Sequence, residues 1–296
     1  MFRSREEAIE ALVDVVPRHL AKRIAELSFP AVSLARTEGT GLTRAGGSPV
    51  LPKDLPWPQR PAAADPKEIA ARGGFNHSGK LARHLTVARP LTFLIQVDLA
   101  AAAAIPEARD LPSEGVLSFF YDVEVGPWDS SSESCRVVWA VDGEERADPN
   151  GPSEPRPFST AHGLYVPHPA ALGFPKALVT ALRKGDATDE YAEWLMDRPA
   201  GNRTKLLGSP DPEQRDPVTT EVAAELYGEQ HLTGLHWRKD KARIQEAAKD
   251  WRLLAQVELA AVLPGRSHVG IVFFLIRRGD LAARDFSKVF SVYQQG

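Results

Sequence analysis

Four polar side chains recur at matching points of a repeated motif. Gln96 and Asp98 lie in the first motif, LIQVDLAA at residues 94–101, and Gln256 and Glu258 lie in the second motif, LAQVELAA at residues 254–261. If the two motifs pack about a twofold axis, the carboxylates of Asp98 and Glu258 converge on one cleft. Such a pair supports general acid and base catalysis when its surroundings separate the two pKa values.

The same side chains also suit a purely structural role. A glutamine at a strand end can bond a neighbouring loop, and an acid can cap the turn that follows. Because buried polar groups nearly always have partners and few are catalytic, we favour this role and predict no catalytic residue. Gln96, Asp98, Gln256 and Glu258 remain candidate ligand-binding or partner-binding residues.

Trp57 is the fifth candidate binding residue. It lies between Pro56 and Pro58 in a proline-rich segment that cannot form a regular helix or a central strand. Tryptophans with such flanks can line a groove for a ligand or a partner, although most tryptophans belong to the core.

The repeat extends on both sides of the motifs. Gly47-Ser48-Pro49 and Gly208-Ser209-Pro210 precede them, and the apolar runs at residues 115–121 and 270–276 follow. Matching blocks in one order indicate an internal duplication, and two copies are too few for a solenoid. We therefore expect one domain at residues 1–296, with halves at about 30–122 and 205–295, an insert at 123–204 and an N-terminal helical segment at 1–28.

Local patterns predict the secondary structure. Apolar residues alternate with Gln96 and Asp98, which is typical of a half-buried strand, and the run at 116–121 indicates a second strand. Ser4 is a plausible N-cap for a helix that Pro17 kinks or splits. Further helices are expected near 175–183, 189–196, 218–227 and 240–251. The fold class is α+β: two β-rich pseudo-symmetric halves with a mixed or largely antiparallel sheet and peripheral helices.

Composition excludes several classes of protein. The formal net charge of −3 argues against a nucleic-acid-binding protein. The single cysteine, Cys135, allows no intramolecular disulfide, which fits a reducing cytosol. No run is long and apolar enough for a signal peptide or a membrane span. These features predict a cytoplasmic protein without a membrane partner.

No metal or cofactor is predicted. The pairs His231/His236 and His162/His168 lack the helical spacing of zinc-protease ligands, and the Gly46-Gly47 and Gly73-Gly74 pairs precede no Lys-Ser/Thr of a phosphate loop. Arg136 can lower the thiol pKa of Cys135, but an inert cysteine leading into a strand is the favoured reading.

Five ordered motifs carry a family resemblance. They are Gly46-Gly47-x-Pro49-x-Leu51-Pro52 with Trp57-Pro58, the run at 91–99, the run at 115–121, Lys205-Leu206-Leu207-Gly208-x-Pro210 with Gln214 and Asp216, and the runs at 251–259 and 270–281. The chain resembles the YwqG-like proteins, a bacterial family of unknown function, over residues 30–295. Ser209 departs from the aromatic residue usual at its position.

The resemblance implies an α+β fold with much antiparallel sheet, and no established activity. Similar proteins have genomic associations with toxin systems, so we expect a non-catalytic binding protein, of the immunity type, that neutralises a toxin or effector. The alternative is a hydrolase or small-ligand-processing enzyme that uses Asp98 and Glu258. A pocket with convergent acids and perturbed pKa values would favour the enzyme, and a flat or acidic face would favour the partner. The sequence leaves the partner and the oligomeric state open.

Overall fold

A computed structural model describes residues 1–72, 77–151, 153–197, 203–214, 218–226, 235–263 and 270–295. The strands are β1 Phe29–Arg36, β2 Arg44–Ala45, β3 Val50–Leu51, β4 Gln59–Arg60, β5 Arg89–Pro90, β6 Thr92–Asp98, β7 Val116–Tyr121, β8 Cys135–Ala140, β9 Glu144–Glu145, β10 Arg156–Tyr165, β11 Lys205–Leu206, β12 Trp251–Glu258, β13 Ile271–Arg277 and β14 Phe290–Gln294.

The helices are α1 Arg5–Leu12, α2 Arg18–Glu26, α3 Pro66–Arg72, α4 Ser78–Leu85, α5 Leu99–Ala103, α6 Lys176–Lys184, α7 Ala187–Met196, α8 Val218–Leu226, α9 Leu235–Ala248, α10 Leu259–Val262 and α11 Arg278–Ala282. Short 3₁₀ helices lie at Pro106–Asp110, Gly126–Trp128 and Phe286–Lys288. Within the described residues, no helix combines the length and apolar character needed to cross a membrane.

One ten-stranded sheet organises the molecule. Its strand order is β14-β13-β12-β11-β1-β10-β2-β6-β7-β8, and neighbouring strands are antiparallel throughout. The long central pair is β1 with β10. We call β2, β6, β7 and β8 the first wing, and β11, β12, β13 and β14 the second wing. The predicted α+β class with a largely antiparallel sheet is confirmed.

The central pair crosses over between the wings. β1 precedes the first wing in the chain but pairs with β11 of the second, whereas β10 precedes the second wing but pairs with β2 of the first. Residues 123–204, expected as an insert, thus supply two strands of the main sheet, β8 and β10. The first wing therefore joins the central pair through β10, and the second wing joins it through β1.

The sheet nearly closes on itself. At its two edges, Ser291 N donates to Ser131 O at 3.3 Å, and Cys135 Sγ donates to Val289 O at 3.6 Å. The enclosed core draws apolar side chains from both wings, including Phe119 and Phe274, whose ring centroids lie 5.1 Å apart. Edge-to-face packing of this kind adds to the burial of apolar area.

Helices cover the outside of the sheet. A second apolar cluster joins α1 and α2 to α6 and α7, and a third joins α8 and α9 to the outer face of the second wing. The predicted N-terminal helix is split, because Pro17 begins a new helix after α1. Ser4 caps α1 as predicted, with its side chain accepting a hydrogen bond from Glu7 N at 3.2 Å.

Candidate functional site

Gln96 holds a loop to the first wing. Its side chain is fully buried on β6, Oε1 accepts a hydrogen bond from Val50 N at 2.9 Å, and Nε2 donates to Leu42 O at 2.8 Å. Both of its partners are backbone groups on either side of β2. The amide therefore satisfies two backbone groups that the short strand β2 leaves unpaired.

Gln256 makes the corresponding bonds in the second wing. Oε1 accepts from Asp211 N at 2.9 Å, and Nε2 donates to Arg203 O at 2.8 Å. These partners flank β11 as Leu42 and Val50 flank β2. The geometry of both glutamines matches the structural role suggested by the sequence.

The structure does not bring the two glutamines together. β6 and β12 are separated in the sheet order by β11, β1, β10 and β2. Ile95 and Val97 lie in the enclosed core, so Gln96 between them points to the outer face. Ala255 and Val257 place Gln256 in the same way, and each amide faces its own loop.

The two acids of the motifs lie at helix starts. Asp98 caps α5, accepting hydrogen bonds from Ala100 N at 3.0 Å and Ala101 N at 3.5 Å. Glu258 occupies the N-cap of α10 without a side-chain hydrogen bond to that helix. Neither Asp98 nor Glu258 lines any of four cavities found in the described part of the chain.

Trp57 is half-buried on the outside of the first wing. Its Nε1 donates to Leu91 O at 2.9 Å, and its ring meets the Phe120 ring edge-on at a centroid distance of 5.4 Å. Together with Pro56, Arg136 and neighbouring side chains it lines a cavity of about 390 Å³. The ring thus combines a core contact with an accessible face.

A larger cleft lies between the wings. It has a volume of about 640 Å³. The first wing contributes the 3₁₀ helix Pro106–Asp110 that follows the first motif, the centre contributes Phe29 and Pro30, and the second wing contributes Leu207, Gly208, Ser209 and Arg252. Residues 171–174 form the remaining wall. We call this site the inter-wing cleft.

Two arginines of the inter-wing cleft keep their guanidinium groups available. Arg252 is half-buried, and its guanidinium group makes no hydrogen bond or ion pair with any residue in the described part of the chain. Arg109 is exposed and makes no hydrogen bond in that part either, although its charge acts on Glu107. Guanidinium groups recognise carboxylates and phosphates through paired hydrogen bonds.

Glu107 is the acid held most firmly in the cleft. Its Oε2 lies 3.0 Å from His162 Nδ1, and its side chain is 14% exposed. Burial acts to raise the pKa of Glu107, but the contact with His162, its own backbone hydrogen bond and the charge of Arg109 outweigh it, so the pKa is lowered. Glu107 therefore carries a negative charge at neutral pH.

The turn at residues 207–209 has a demanding backbone. Leu207 and Gly208 both have positive φ, at 60° and 77°, and Gly46 and Gly47 of the first wing match them at 66° and 71°. A Cβ atom on Gly208 would lie 2.9 Å from the Phe29 ring. The glycine in the family-like motif is therefore required for close packing of the turn on β1.

A buried ion pair supports the wall of the cleft. Lys205 is fully buried, with Nζ 2.7 Å from Asp211 Oδ2 and 5.2 Å and 4.5 Å from the ring centroids of Phe29 and Tyr165. Gln256 Nε2 also donates to Asp211 Oδ2, at 3.3 Å. Phe29, which lines the cleft, is thereby packed against a cation that is itself held by a buried carboxylate.

A second buried ionic network lies away from the cleft. Arg60 donates to Asp129 at 2.8 Å and lies 3.7 Å from Asp122, whose Oδ2 is 3.2 Å from His84 Nε2. Burial acts to raise the pKa of Asp122, but the hydrogen bond and charge of His84, backbone bonding and Arg60 lower it overall. This network ties β4 and α4 to the turn after β7.

A cavity of about 660 Å³ opens on the helical side of the molecule. It is lined by parts of α6 and α7, by His168 and by Glu213 and Gln214. Glu213 forms a buried ion pair with Arg203, and His168 Nδ1 accepts from Ala170 N at 3.0 Å. Its polar groups thus contribute to local structure.

Of the remaining sequence candidates, Cys135 is a buried free thiol. Burial raises the pKa of the Cys135 thiol to about 12, so the thiol stays protonated despite Arg136. No group of three or more His, Cys, Asp and Glu suited to a metal ion occurs in the described segments. His231, the side chain of His236, Gly73-Gly74 and Asp216 lie outside the described residues.

The family is shown by a match over most of the chain. Residues 43–294 match the model of a family described as "Domain of unknown function (DUF1963)". The chain belongs to the DUF1963 family. The DUF1963 match contains both motifs and the turn at 207–209 but begins after β1, which supplies Phe29 and Pro30 to the cleft. No curated protein matches the sequence.

Sequence reasoning missed the charged residues of the inter-wing cleft. Arg252 lies two positions before the second motif, but nothing local distinguishes it from any solvent-facing arginine. Glu107 and Arg109 lie in the connector after the first motif, and their approach to Arg252 depends on how the wings meet. The only signal was their closeness in the chain to repeated blocks.

Proposed function

We propose that this DUF1963 protein is a non-catalytic binding protein that holds a segment of a protein partner in the inter-wing cleft. The observation that carries the proposal is the cleft itself, about 640 Å³ in volume and lined by both wings, with Arg109 and Arg252 offering unused donors. Cavities of this size are typical of ligand sites. The motif acids, by contrast, lie at helix starts outside it.

The partner that we propose is a toxin or effector, which the protein neutralises in the cytoplasm as an immunity protein. Support comes from the resemblance to the YwqG-like proteins, the branch to which we assign the chain within its family. An immunity protein needs a pre-formed surface that covers part of its target, and the cleft offers one. The immunity role is more specific than the binding role, and an experiment can reject it while the binding role stands.

We also propose that the two wings derive from one duplicated unit. Thr43 and Thr204 support this, because each Oγ1 atom accepts a hydrogen bond from the backbone N–H of a motif acid. The N–H of Asp98 donates to Thr43 at 2.9 Å, and the N–H of Glu258 donates to Thr204 at 3.2 Å. Both motif strands also carry a register shift at the same point, between Phe93 and Ile95 and between Leu253 and Ala255. In this proposal the cleft is a junction between copies.

A blocking variant tests the binding role. Ser209→Trp places a large side chain in the cleft, and Ser48→Trp makes the same change at the corresponding turn of the first wing. Tagged protein purified from the native host should retain a stoichiometric protein partner in the wild type, in Ser209→Ala and in Ser48→Trp. Ser209→Trp should lose it while unfolding at the wild-type temperature.

Two outcomes would overturn the binding role. The first is a wild type that retains no protein, and the second is a Ser209→Trp variant that retains its partner as well as the control does. If a partner is retained but does not poison the host when expressed alone, the immunity role fails and the binding role stands.

One observation favours an enzyme as the second candidate. Glu107 and His162 form a close acid–histidine pair at the cleft wall, an arrangement that orients a general base. A hydrolase of this kind would use Glu107 in place of Asp98 and Glu258. Hydrolysis of nitrophenyl esters or phosphates by the wild type, abolished in a folded Glu107→Gln variant, would support it, and equal rates in the two proteins would reject it.

A further inference from the structure

We infer that the segment bound in the inter-wing cleft is an extended acidic peptide, whose carboxylates are held by Arg109 and Arg252. This inference rests on the binding role proposed above and names the chemistry of the bound segment. It follows from the shape of the groove, the charges along it and the apolar side chains between them.

The cleft continues into a longer groove. A second cavity of about 390 Å³ shares Arg252, Gly208, Ser209 and residues 171–173 with the inter-wing cleft. The turn at 207–209 therefore borders both spaces, and the two form one path across the second wing. A path of this form suits an extended chain better than a compact small molecule.

Cations outnumber acids along this path. Arg109 and Arg252 line the first part, and Lys249 and Arg278 join Arg252 in the second. The lining acids are Glu107, which is engaged with His162, and the exposed Asp110. Lys249 also contacts Glu246 on its own helical turn.

The positive character of the groove is local. The chain as a whole has a formal net charge of −3, so the excess of cations does not reflect a basic protein. A carboxylate that pairs with Arg252 gains a half-buried, charge-assisted contact, which is stronger than one fully exposed to water. The groove therefore selects for negative charge in its occupant.

Apolar side chains accompany the arginines. Leu172 is 40% exposed and borders both parts of the groove, and Pro30 and Phe174 line the first part. An occupant that covers them must carry apolar groups next to its acids. Acidic residues interspersed with Leu or Phe meet both demands, whereas a free phosphate meets only the first.

Peptide selection provides the test. A phage library of random twelve-residue peptides is selected on the folded wild-type protein, and the enriched peptides are measured by fluorescence anisotropy against wild type, Arg109→Glu/Arg252→Glu and Arg83→Glu. Arg83 lies exposed on α4, outside the groove, and its variant reverses one arginine charge away from the groove. Arg252→Gln, which removes charge without reversing it, serves if the double variant does not fold.

The expected result is a selected pool enriched in Asp and Glu beside Leu or Phe. Affinity should fall at least tenfold in the double variant, remain within twofold in Arg83→Glu and weaken as salt is added. Inorganic phosphate at millimolar concentration should not displace the peptides. A pool without acidic enrichment, equal binding by the double variant, or full displacement by phosphate would overturn the inference.

The failure of this inference is distinguishable from failure of the binding role. A native partner lost in Ser209→Trp, together with selected peptides that are not acidic, rejects the acidic segment alone. Acidic peptides that bind through Arg252, together with no retained native partner, reject the proposed cellular role and leave the chemistry of the groove standing.

Discussion

The two wings use one bonding scheme in different surroundings. Gln96 and Gln256 each join two backbone groups across a short strand, at nearly equal distances. The partner residue Leu42 of the first wing is 45% exposed, whereas its counterpart Arg203 of the second is 6% exposed. The same hydrogen bonds therefore stabilise a loop open to water in one wing and a buried segment in the other.

The cations at the start of the two short strands, Arg44 in β2 and Lys205 in β11, also differ in how deeply they and their partners are buried. Arg44 bonds Ser48 O at 2.6 Å and Glu145 at 2.5 Å, and the Glu145 side chain is 59% exposed. Lys205 is buried with Asp211 and two aromatic rings. The buried ion pair of the second wing thus stabilises the wall of the inter-wing cleft.

The largest contrast is expected between Lys205→Met and Arg44→Met. Loss of Lys205 leaves the Asp211 carboxylate buried without its cation, which should lower the free energy of unfolding by about 3–5 kcal/mol. Loss of Arg44 breaks a pair whose acid, Glu145, is exposed to water, and should lower it by about 1 kcal/mol. Urea unfolding at neutral pH measures both, and equal losses would contradict the difference in burial.

The glutamines should show a smaller contrast. Gln256→Leu leaves the N–H of Asp211 and the carbonyl of Arg203 buried and unpaired, which should cost about 2–4 kcal/mol. Gln96→Leu should cost about 1–2 kcal/mol, because water reaches the exposed Leu42. Urea midpoints compare the two, and a larger loss for Gln96→Leu would show that burial does not set the order.

Asp122, directly after β7 in the first wing, should make the stability of the protein depend on pH in the acid range. The folded pKa of Asp122 is lowered below its usual 3.8, so its stabilisation is present above the unfolded pKa and is lost as the pH falls through the folded pKa. Asp122→Asn should therefore lower stability at neutral pH and flatten its decline as the pH falls below about 5.

The second wing supplies the control for the acid experiment. The residue after its matching run is Arg277, whose guanidinium lies 5.3 Å from the Trp251 ring centroid. Arg277→Gln should leave the decline in acid unchanged. Urea midpoints recorded across the pH range would contradict the assignment if Asp122→Asn kept the wild-type slope.

The smallest contrast concerns the helix caps. Asp98→Ala removes hydrogen bonds to two backbone N–H groups of α5 and should cost about 1 kcal/mol. Glu258→Ala removes no side-chain hydrogen bond to α10 and should cost less. Thermal unfolding of the two variants measures the difference, and a greater loss for Glu258→Ala would reverse the comparison.

Much of the local structure was predictable from the sequence. The alternation around Gln96 predicted β6, Pro17 predicted the break between α1 and α2, and Ser4 predicted the cap. These features depend on residues a few positions apart, so local patterns contain the information. The roles of Gln96 and Asp98 as structural groups also follow from their positions at a strand end.

The charged cleft was not predictable in the same way. Glu107, Arg109 and Arg252 meet only because the wings face each other across β1. The sequence also could not show that Cys135 is buried where the edges of the sheet meet, which is why its pKa is raised despite the charge of Arg136. Burial sets both results, and burial depends on contacts between distant parts of the chain.

By itself the sequence determined the strand around Gln96, the Ser4 cap and the break between α1 and α2 at Pro17, because each is fixed by neighbouring residues. Only the tertiary structure decided that β1 and β10 cross between the wings, that Lys205 is buried whereas Arg44 lies near the surface, and that a groove with free arginines runs past the turn at 207–209. Pairing of distant strands determines which charged side chains are buried. Burial is therefore the reason why the two wings, which have similar sequences, differ in structure and in their contribution to the cleft.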